Sequence, residues 1–422
     1  MSHFVAVGQN LDALKEFGVY SSDHEKIISY LKDNNINTVA MESTGSYWQS
    51  LFMALQKAGF EVFLVSGHQT KNVRAKTDVK DCQWIQKLHS LGLLRGCFLP
   101  DEQTLKLRTL NRHRLSLIEE SAKMANKMQK ALRLCNFRLD AVINDITGKS
   151  GRAIMEAILS GERDGNKLSQ LANNRCRKSK KEIAEALQGH YNDELMFELE
   201  DCYDLYKIIQ AKVEACDKKI EQILKSYLVG NSQINHHSVK ITQKQTKGKN
   251  QVKFDLPQLS YQYYGVDLFA IESVSMNTVL TLITEIGQGI YKFKTAKQFS
   301  AFLRLAPNNK VSGGKLISSR TPKGANKLSI ALRNAANTID RIKKGSLVSF
   351  FKRIAYKKGR AAAITATARK LAVIIWNMIV KKQQYKPLAE DVYRELIKVK
   401  VIKNIQHQMK KLNIVTDDLL IT

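Results

Sequence analysis

Apolar positions in the first hundred residues follow two different spacings. Some stretches are short, apolar and rich in β-branched residues, whereas others repeat apolar residues every three to four positions. The first kind predicts strands over residues 3–7, 37–41 and 61–65, and the second predicts helices over residues 23–34, 47–58 and 78–90. Strands that alternate with helices indicate an α/β layer structure, which we assign to residues 1–100.

Two longer stretches carry the heptad spacing of paired helices. In residues 105–138, apolar residues recur every seven positions from Leu110 to Ala131. Residues 195–227 repeat apolar positions in alternating steps of four and three, which is typical of a coiled coil. The two helices could pair within one chain or across two protomers, and the pattern does not choose between these arrangements. We predict a helical coiled-coil region over residues 101–228.

The composition changes after residue 228. Residues 229–253 contain five lysines and no acid, which predicts a flexible basic linker that is either solvated or in contact with nucleic acid. We extend this linker to residue 264. The pattern over residues 265–390 is mainly helical, with a loop at residues 307–324, and residues 391–422 form a helical tail.

The positive charge of the chain is concentrated in its C-terminal half. The formal net charge is +28, and residues 286–389 contain 23 lysines and arginines but one acid, Asp340. A folded segment with so few acids repels itself unless an anion neutralises it. The polyphosphate backbone of a nucleic acid is the partner that such a segment favours.

Cysteine spacing and hydropathy argue against a zinc-binding protein and against a membrane or secreted protein. None of the six cysteines forms a CxxC pair or lies at zinc-ligand spacing from a histidine, which indicates reduced cysteines and not a zinc site. The longest strongly apolar run, residues 371–380, is short for a membrane span, and no signal peptide pattern opens the sequence. We therefore expect a cytoplasmic, nucleoid-associated protein with no membrane partner.

Three acidic residues lie where strands and helices of the α/β region begin or end. Glu42 follows a predicted strand, whereas Asp78 and Asp81 open a predicted helix on one of its faces. Carboxylates at a strand end and a helix start can meet above a sheet edge, and such oxygen ligands suit Mg²⁺ or Mn²⁺. Helix capping and ordinary surface polarity are the alternative interpretations of the same residues.

Several longer sequence motifs occur in a fixed order along the chain. In the first half they are Val39-Ala40-Met41-Glu42-Ser43-Thr44-Gly45-Ser46-Tyr47-Trp48, Lys76-Thr77-Asp78-Val79-Lys80-Asp81-Cys82-Gln83-Trp84 and Leu91-Gly92-Leu93-Leu94-Arg95-Gly96. In the second half they are Gly265-Val266-Asp267-Leu268, Leu305-Ala306-Pro307-Asn308-Asn309, Ser312-Gly313-Gly314-Lys315 and Thr321-Pro322-Lys323-Gly324-Ala325-Asn326. Taken together, the sequence resembles the DEDD transposases of the insertion-sequence 110 family, in particular its 1111 branch.

This resemblance implies a fold, a site and partners. It implies a RuvC-like, RNase H-type domain at the N-terminus, a coiled-coil middle and a C-terminal transposase domain. It identifies Glu42, Asp78 and Asp81 as three of four acidic ligands for Mg²⁺ or Mn²⁺, and Ser312 as the nucleophile. It also implies DNA substrates, a guide RNA encoded by the element, and a homo-oligomer, which we expect to form through the coiled coil.

The surroundings of Ser312 agree with nucleophilic chemistry on a phosphate. Glycines next to the serine allow close approach of the backbone, and cations near it would stabilise charge on the transferring phosphorus. A Ser-Gly-Gly turn without any chemistry is the alternative. The candidate nucleic-acid-binding residues are Lys310, Lys315, Arg320, Lys323, Lys327 and Arg333.

The beginning of the sequence departs from the family pattern. The family opens with a strand carrying Gly-Ile-Asp, whose aspartate is the first metal ligand, whereas residues 3–7 resemble its second strand. Asp12 is the first acid present, but it follows the strand in a polar turn. A misassigned start or a truncated gene copy would explain the difference. We therefore expect the domain to lack its first strand and one ligand, and the chain to cleave or exchange DNA poorly or not at all.

Three functions remain open from the sequence. The first is an RNA-guided transposase or recombinase that uses Ser312 and a divalent metal. The second is a catalytically inactive nucleic-acid-binding remnant of the same ancestry. The third is a nuclease of the Holliday-junction type, which would hydrolyse DNA without a covalent serine intermediate.

Overall fold

The computed structural model describes residues 2–8, 13–43, 45, 47–70, 77–230, 248–324, 326–343, 345–387 and 389–411. The chain forms two compact units, Met1–Leu99 and Pro100–Thr422. The boundary between the units lies within one residue of the end of the predicted α/β region.

The first unit contains four strands and four helices among its described residues. They are β1 (His3–Ala6), β2 (Leu14–Phe17), α1 (Ser21–Asp33), β3 (Thr38–Glu42), α2 (Trp48–Lys57), β4 (Glu61–Val65), α3 (Gly67–Thr70) and α4 (Asp78–Ser90). β1 and β2 are antiparallel, whereas β3 and β4 are parallel, with Met41 opposite Leu64. The mixed α/β character predicted from the sequence is confirmed.

Two helices and the strands share the main core of the first unit. Ile27 and Leu31 of α1 lie one turn apart, as do Leu51 and Leu55 of α2, so each pair points to one side of its helix. These side chains are buried and pack with strand residues such as Val39. Burying each such side chain is worth about 1.5–3 kcal/mol of transfer free energy.

The sheet arrangement differs from the one implied by the family resemblance. The described strands form two separate two-stranded sheets, β1 with β2 and β3 with β4, and not one central sheet. Helix α4 contacts β1, where the Cys82 thiol donates a hydrogen bond to the carbonyl oxygen of Phe4 at 3.1 Å. Burial raises the pKa of this thiol to about 11, so it keeps the proton that it donates. Asp12, the first acid of the sequence, lies outside the described residues.

The second unit is mainly helical within its described residues. Its regular elements are α5 (Glu102–Leu134), α6 (Leu139–Val142), α7 (Lys149–Leu159), α8 (Gly165–Gln170), α9 (Lys180–Ala186), α10 (Asp193–Gly230), α11 (Leu256–Tyr264), α12 (Met276–Glu285), α13 (Ala296–Phe302), β5 (Lys310–Ser312), β6 (Lys315–Ser318), α14 (Lys327–Ile339), α15 (Ser346–Lys358), α16 (Arg360–Lys381) and α17 (Glu390–Lys411). The short 3₁₀ helices Leu268–Ala270 and Gly287–Lys292 flank α12.

Helices α5 and α10 are the two stretches with heptad spacing, and they pair within one chain. Arg114 contacts Asp217, and Gln210 donates a hydrogen bond to the Ser121 hydroxyl at 2.7 Å. Because the residue number rises along one helix as it falls along the other, the two helices are antiparallel. Leu117 packs against Val213 and Cys216 between these contacts. This pairing within one chain is one of the two arrangements that the heptad spacing allows.

A buried ion pair lies inside this seam. Arg114 Nε donates to the Asp217 carboxylate at 2.5 Å, and the two side chains are 2% and 4% exposed. Arg114 Nη2 also donates to the carbonyl oxygen of Asn250, at 3.0 Å. Neither charge can recover its hydration, so each depends on the other and on this carbonyl for its stability.

The C-terminal helices are fixed to α5 by a second set of polar contacts. Arg112 donates two hydrogen bonds to the Glu285 carboxylate, at 2.8 and 2.9 Å. Arg108 donates to the backbone carbonyl of the same glutamate at 2.6 Å, and Asn111 donates to the Thr284 hydroxyl at 2.9 Å. The end of α12 is therefore held by three polar side chains of α5 between positions 108 and 112.

Part of the predicted basic linker is ordered. The sequence predicts a linker over residues 229–264, but α10 extends to Gly230 and α11 occupies Leu256–Tyr264. Val252 and Phe254 are buried, and Asp255 caps α11 by accepting from the backbone N–H of Gln258 at 3.1 Å. Apolar side chains override the polar composition here. Residues 231–247 lie outside the described part of the chain.

Helix α16 is long and apolar enough to cross a membrane by length and composition. In the structure, 50% of its most apolar stretch is buried, and the helix packs against α13, α14 and α15. Buried residues such as Ala363, Leu371 and Ile375 face these neighbours. A helix at the centre of a helical core has the same composition as a membrane span.

The buried ion pair gives a prediction about stability. Replacing Asp217 with asparagine leaves the Arg114 cation buried without a compensating charge, and breaking such a pair costs about 3–5 kcal/mol. We expect D217N to lower the free energy of unfolding by this amount in urea denaturation. The control is D204N on the same helix, because Asp204 pairs with Lys207 at the surface and such pairs contribute about 0–1 kcal/mol. Equal destabilisation by the two variants would contradict the prediction.

Candidate catalytic and nucleic-acid-binding residues

Ser312 lies at the tip of a short hairpin. Strands β5 and β6 are joined by Gly313 and Gly314, and Ser312 pairs with Lys315 across the turn. Both glycines have positive φ, 54° and 73°, as a two-residue type I′ turn requires. The side chain of Ser312 is exposed, so its hydroxyl is accessible to a large substrate. The sequence prediction of a plain loop over residues 307–324 missed this hairpin.

The base of the hairpin is closed by polar contacts. Asn308 donates its backbone N–H to the carbonyl oxygen of Arg320 at 3.0 Å. The guanidinium of Arg304 donates to the carbonyl oxygen of Lys323 and lies directly against Gly324, where a side chain would have no space. The segment that carries Ser312 is therefore held at its base.

Five of the six predicted nucleic-acid-binding residues are exposed. They are Lys310, Lys315, Arg320, Lys323 and Lys327. The sixth, Arg333, is half-buried on α14 and donates to the Ser329 hydroxyl at 2.9 Å. All six belong to the hairpin, its base or the first two turns of α14. Asp340, the one acid of residues 286–389, is already paired with Arg360 at 2.6 Å.

Three apolar side chains on the same hairpin are exposed as well. Val311, Leu316 and Ile317 are 61%, 58% and 67% exposed. The prediction of a plain loop over residues 307–324 did not indicate these exposed side chains. A Gly-Gly pair flanked by strand-forming residues is a hairpin signal, and it would have indicated that these side chains flank the turn.

Glu42 is the last residue of β3, and its carboxylate is already engaged. It accepts a hydrogen bond from the Thr70 hydroxyl at 2.7 Å. It also lies against Gly67, where an added Cβ would approach one carboxylate oxygen to 2.9 Å. The glycine thus leaves room for the Glu42 side chain next to α3.

Asp78 and Asp81 lie in the first turn of α4, as the sequence predicted. Thr77 caps this helix by accepting from the backbone N–H of Lys80 at 3.3 Å. Asp78 is exposed and Asp81 is half-buried. Helix α4 packs against β3, the strand that ends in Glu42.

The structure does not bring the three predicted metal ligands together. Across the described ranges, no group of three or more histidine, cysteine, aspartate or glutamate side chains is close enough to hold a metal ion. Residues 71–76, which precede α4, lie outside those ranges, as do Thr44 and Ser46. The donor set of Glu42, Asp78 and Asp81 suits a hard divalent cation in its chemistry, but it is not gathered into one site.

Comparison with known protein families finds two family models that match the chain. A family model described as a transposase, the DEDD transposase of IS110 elements, matches residues 2–137. A second model, described as Transposase IS116/IS110/IS902 family, matches residues 267–350. The first match includes Glu42, Asp78 and Asp81, and the second includes Ser312. No curated protein matches the chain. The two models together match just over half of the chain, which therefore belongs to the IS110 family of transposases.

Proposed function

We propose that this protein is the DNA transposase of an insertion sequence and that it cuts and transfers strands through Ser312. The observation that carries the proposal is the exposed serine beside a two-glycine turn, among lysines and arginines and with no acid nearby in sequence. Of its immediate neighbours, Lys315 is paired with it across the turn, and Lys310 is on the same strand.

The chemistry of the step follows from these groups. The Ser312 oxygen attacks a backbone phosphorus, a new serine–phosphorus bond forms, and the bond from phosphorus to a sugar oxygen breaks. The hydroxyl proton passes to a base, and the departing sugar oxygen takes up a proton. Exposed cations near the turn stabilise the negative charge that builds on the phosphate oxygens. The covalent link conserves the energy of the phosphodiester for strand transfer.

We further propose that Glu42, Asp78 and Asp81 act as ligands for Mg²⁺ or Mn²⁺. The support is their oxygen chemistry, their positions at a strand end and a helix start, and the packing of α4 against β3. A divalent ion would neutralise charge on the phosphate during the reaction. Because the three carboxylates are apart in the described structure, binding must include the work of bringing them together.

The partners that we propose are DNA, a guide RNA encoded by the element, and further copies of the chain. DNA and RNA share the phosphate backbone that the basic C-terminal residues favour. The α5–α10 seam is filled within one chain. A homo-oligomer that forms through the coiled coil, as expected from the sequence, would therefore use the outer faces of α5 and α10.

One observation favours a second candidate function, a catalytically inactive nucleic-acid-binding protein. Among the described residues, Glu42, Asp78 and Asp81 are not gathered into one site, whereas five of the six candidate basic residues of the second unit are exposed to phosphate contacts. Such a protein would bind DNA tightly and would not cleave it. The two candidates differ in covalent chemistry and in metal binding, and both can be measured.

The first test concerns the nucleophile. We expect S312A to abolish the covalent protein–DNA adduct, with a loss of at least about 100-fold, and to leave DNA binding unchanged. The adduct is measured by denaturing gel electrophoresis after incubation with labelled element-end DNA and Mg²⁺. The control is S319A, because Ser319 is also exposed and lies one residue beyond β6. An adduct that persists in S312A would refute the assignment, and free DNA ends without an adduct would indicate a nuclease.

The second test concerns the phosphate contacts. We expect replacement of Lys310, Lys315 and Arg320 with glutamine to weaken the salt dependence of DNA binding. The slope of the logarithm of the binding constant against the logarithm of the salt concentration should decrease in magnitude by about one for each phosphate that is no longer neutralised. The control removes three exposed lysines that are paired with acids on α5 and α10: Lys106, Lys207 and Lys225. Binding is measured by fluorescence anisotropy over a range of salt concentrations. A flat salt response of the unaltered chain would contradict the role assigned to the hairpin.

The third test concerns the metal. The double variant D78N/D81N should bind Mn²⁺ at least about tenfold more weakly in calorimetric titration, since even outer-shell changes cost that much. The control is D33N, at the exposed end of α1. If the unaltered chain took up no Mn²⁺, the second candidate function would replace the first.

A further inference from the structure

Helix α17 exposes several large apolar side chains to solvent. Six of its large apolar side chains are each about half exposed: Val392 (49%), Leu396 (48%), Val399 (48%), Val401 (49%), Ile402 (45%) and Ile405 (50%). Single exposed apolar residues are common, but contiguous apolar patches larger than those of ordinary monomers mark interaction surfaces. A run of six such side chains over four turns therefore indicates a face that binds another helix.

The contacts of α17 with the rest of the second unit are few. Tyr393 is buried, α15 lies against the helix, and Lys370 lies 5.3 Å from the centre of the Tyr393 ring. Val392, Leu396 and Val399 follow the i, i+4, i+7 spacing of one helix face. Ile402 and Ile405 continue that stripe obliquely in steps of three. The covered side and the exposed stripe of α17 are thus different parts of its surface.

The charges of α17 are separated along its length. Residues 390–395 contain three acids and one arginine, whereas residues 398–411 contain five lysines and no acid. A second α17 in the same direction would place lysines against lysines. In the opposite direction, residues 390–395 of each helix would lie beside residues 406–411 of the other, which include Lys410 and Lys411, and this happens twice across a two-fold axis, while residues 398–403 of the two copies meet near the axis.

We propose that the exposed face of α17 binds the α17 of a second copy of this chain in antiparallel orientation. The apolar stripe supplies the buried contact, and the two complementary charge pairings set the direction. A nucleic acid would engage the lysines but would leave the apolar side chains in water, so it fits this surface less well. The proposal does not depend on the catalytic role assigned to Ser312, because it concerns the chain without DNA.

The experiment is sedimentation velocity of the full chain, freed of nucleic acid by nuclease and high salt. Over about 1–100 µM, the range expected of a modest interface, the unaltered chain should shift from monomer to dimer. The variant L396D/I402D should remain monomeric. The control F197D removes a comparable exposed apolar side chain on α10, where Phe197 is 74% exposed, and should associate normally.

Orientation is tested by exchanging charges at the two ends of α17. D391K/E395K alone and K410E/K411E alone should each weaken association at least about tenfold, because both leave like charges opposed where residues 390–395 lie beside residues 406–411. The variant with all four changes should associate with itself again, since an antiparallel pair then regains opposite charges. This rescue cannot result from misfolding, and a parallel pair would not show it.

Two outcomes would overturn the proposal. One is an unaltered chain that stays monomeric over the whole concentration range, or that associates only when DNA is added. The other is association that L396D/I402D leaves intact, which would place the contact elsewhere. Failure of either kind leaves the adduct test of Ser312 unaffected.

Discussion

The second unit depends on one interaction, the ion pair of Arg114 and Asp217 inside the seam of α5 and α10. Both charges are withdrawn from water, so neither tolerates the loss of the other. Around this pair, the register of two helices of 33 and 38 residues is fixed, because a slide by one turn would separate the charges. A purely apolar seam of leucines would permit such slides at lower cost. The buried pair thus fixes how α5 and α10 align, and this offsets the free-energy cost of dehydrating Arg114 and Asp217.

From that register the position of the C-terminal helices follows. Arg108 and Arg112 lie on the same helix as Arg114, and both engage Glu285 at the end of α12. Desolvation lowers the pKa of Arg108. The pKa of Arg112 is raised, because Arg112 donates hydrogen bonds to Glu285. One carboxylate thus joins the helical spine to the segment that leads to the hairpin. The hairpin of Ser312 thus belongs to a helical unit whose α12 is fixed to α5 by these hydrogen bonds.

The sequence predicted much of this fold, and its failures have identifiable causes. Heptad spacing located α5 and α10 because apolar periodicity reports directly on a buried face. β2 was missed because Lys15 and Glu16 are exposed in a strand of only four residues, too short to show alternation. The C-terminal part of the predicted linker is ordered because a few apolar residues, Val252 and Phe254 among them, decide its fate. Motif wording identified Glu42, Asp78 and Asp81, but no local pattern specifies the distance between a strand end and a helix start.

The turn that carries Ser312 shows which property of a residue matters at its two glycines. An added Cβ at Gly313 or Gly314 would meet no atom within 4 Å, so space does not demand glycine there. Handedness does, because the backbone at both positions is of the form that mirror-image amino acids prefer. The turn beside Ser312 therefore depends on Gly313 and Gly314, whose Cα atoms carry no side chain and so allow positive φ. A residue with a side chain is disfavoured at either position by its stereochemistry, even though the surrounding volume is empty.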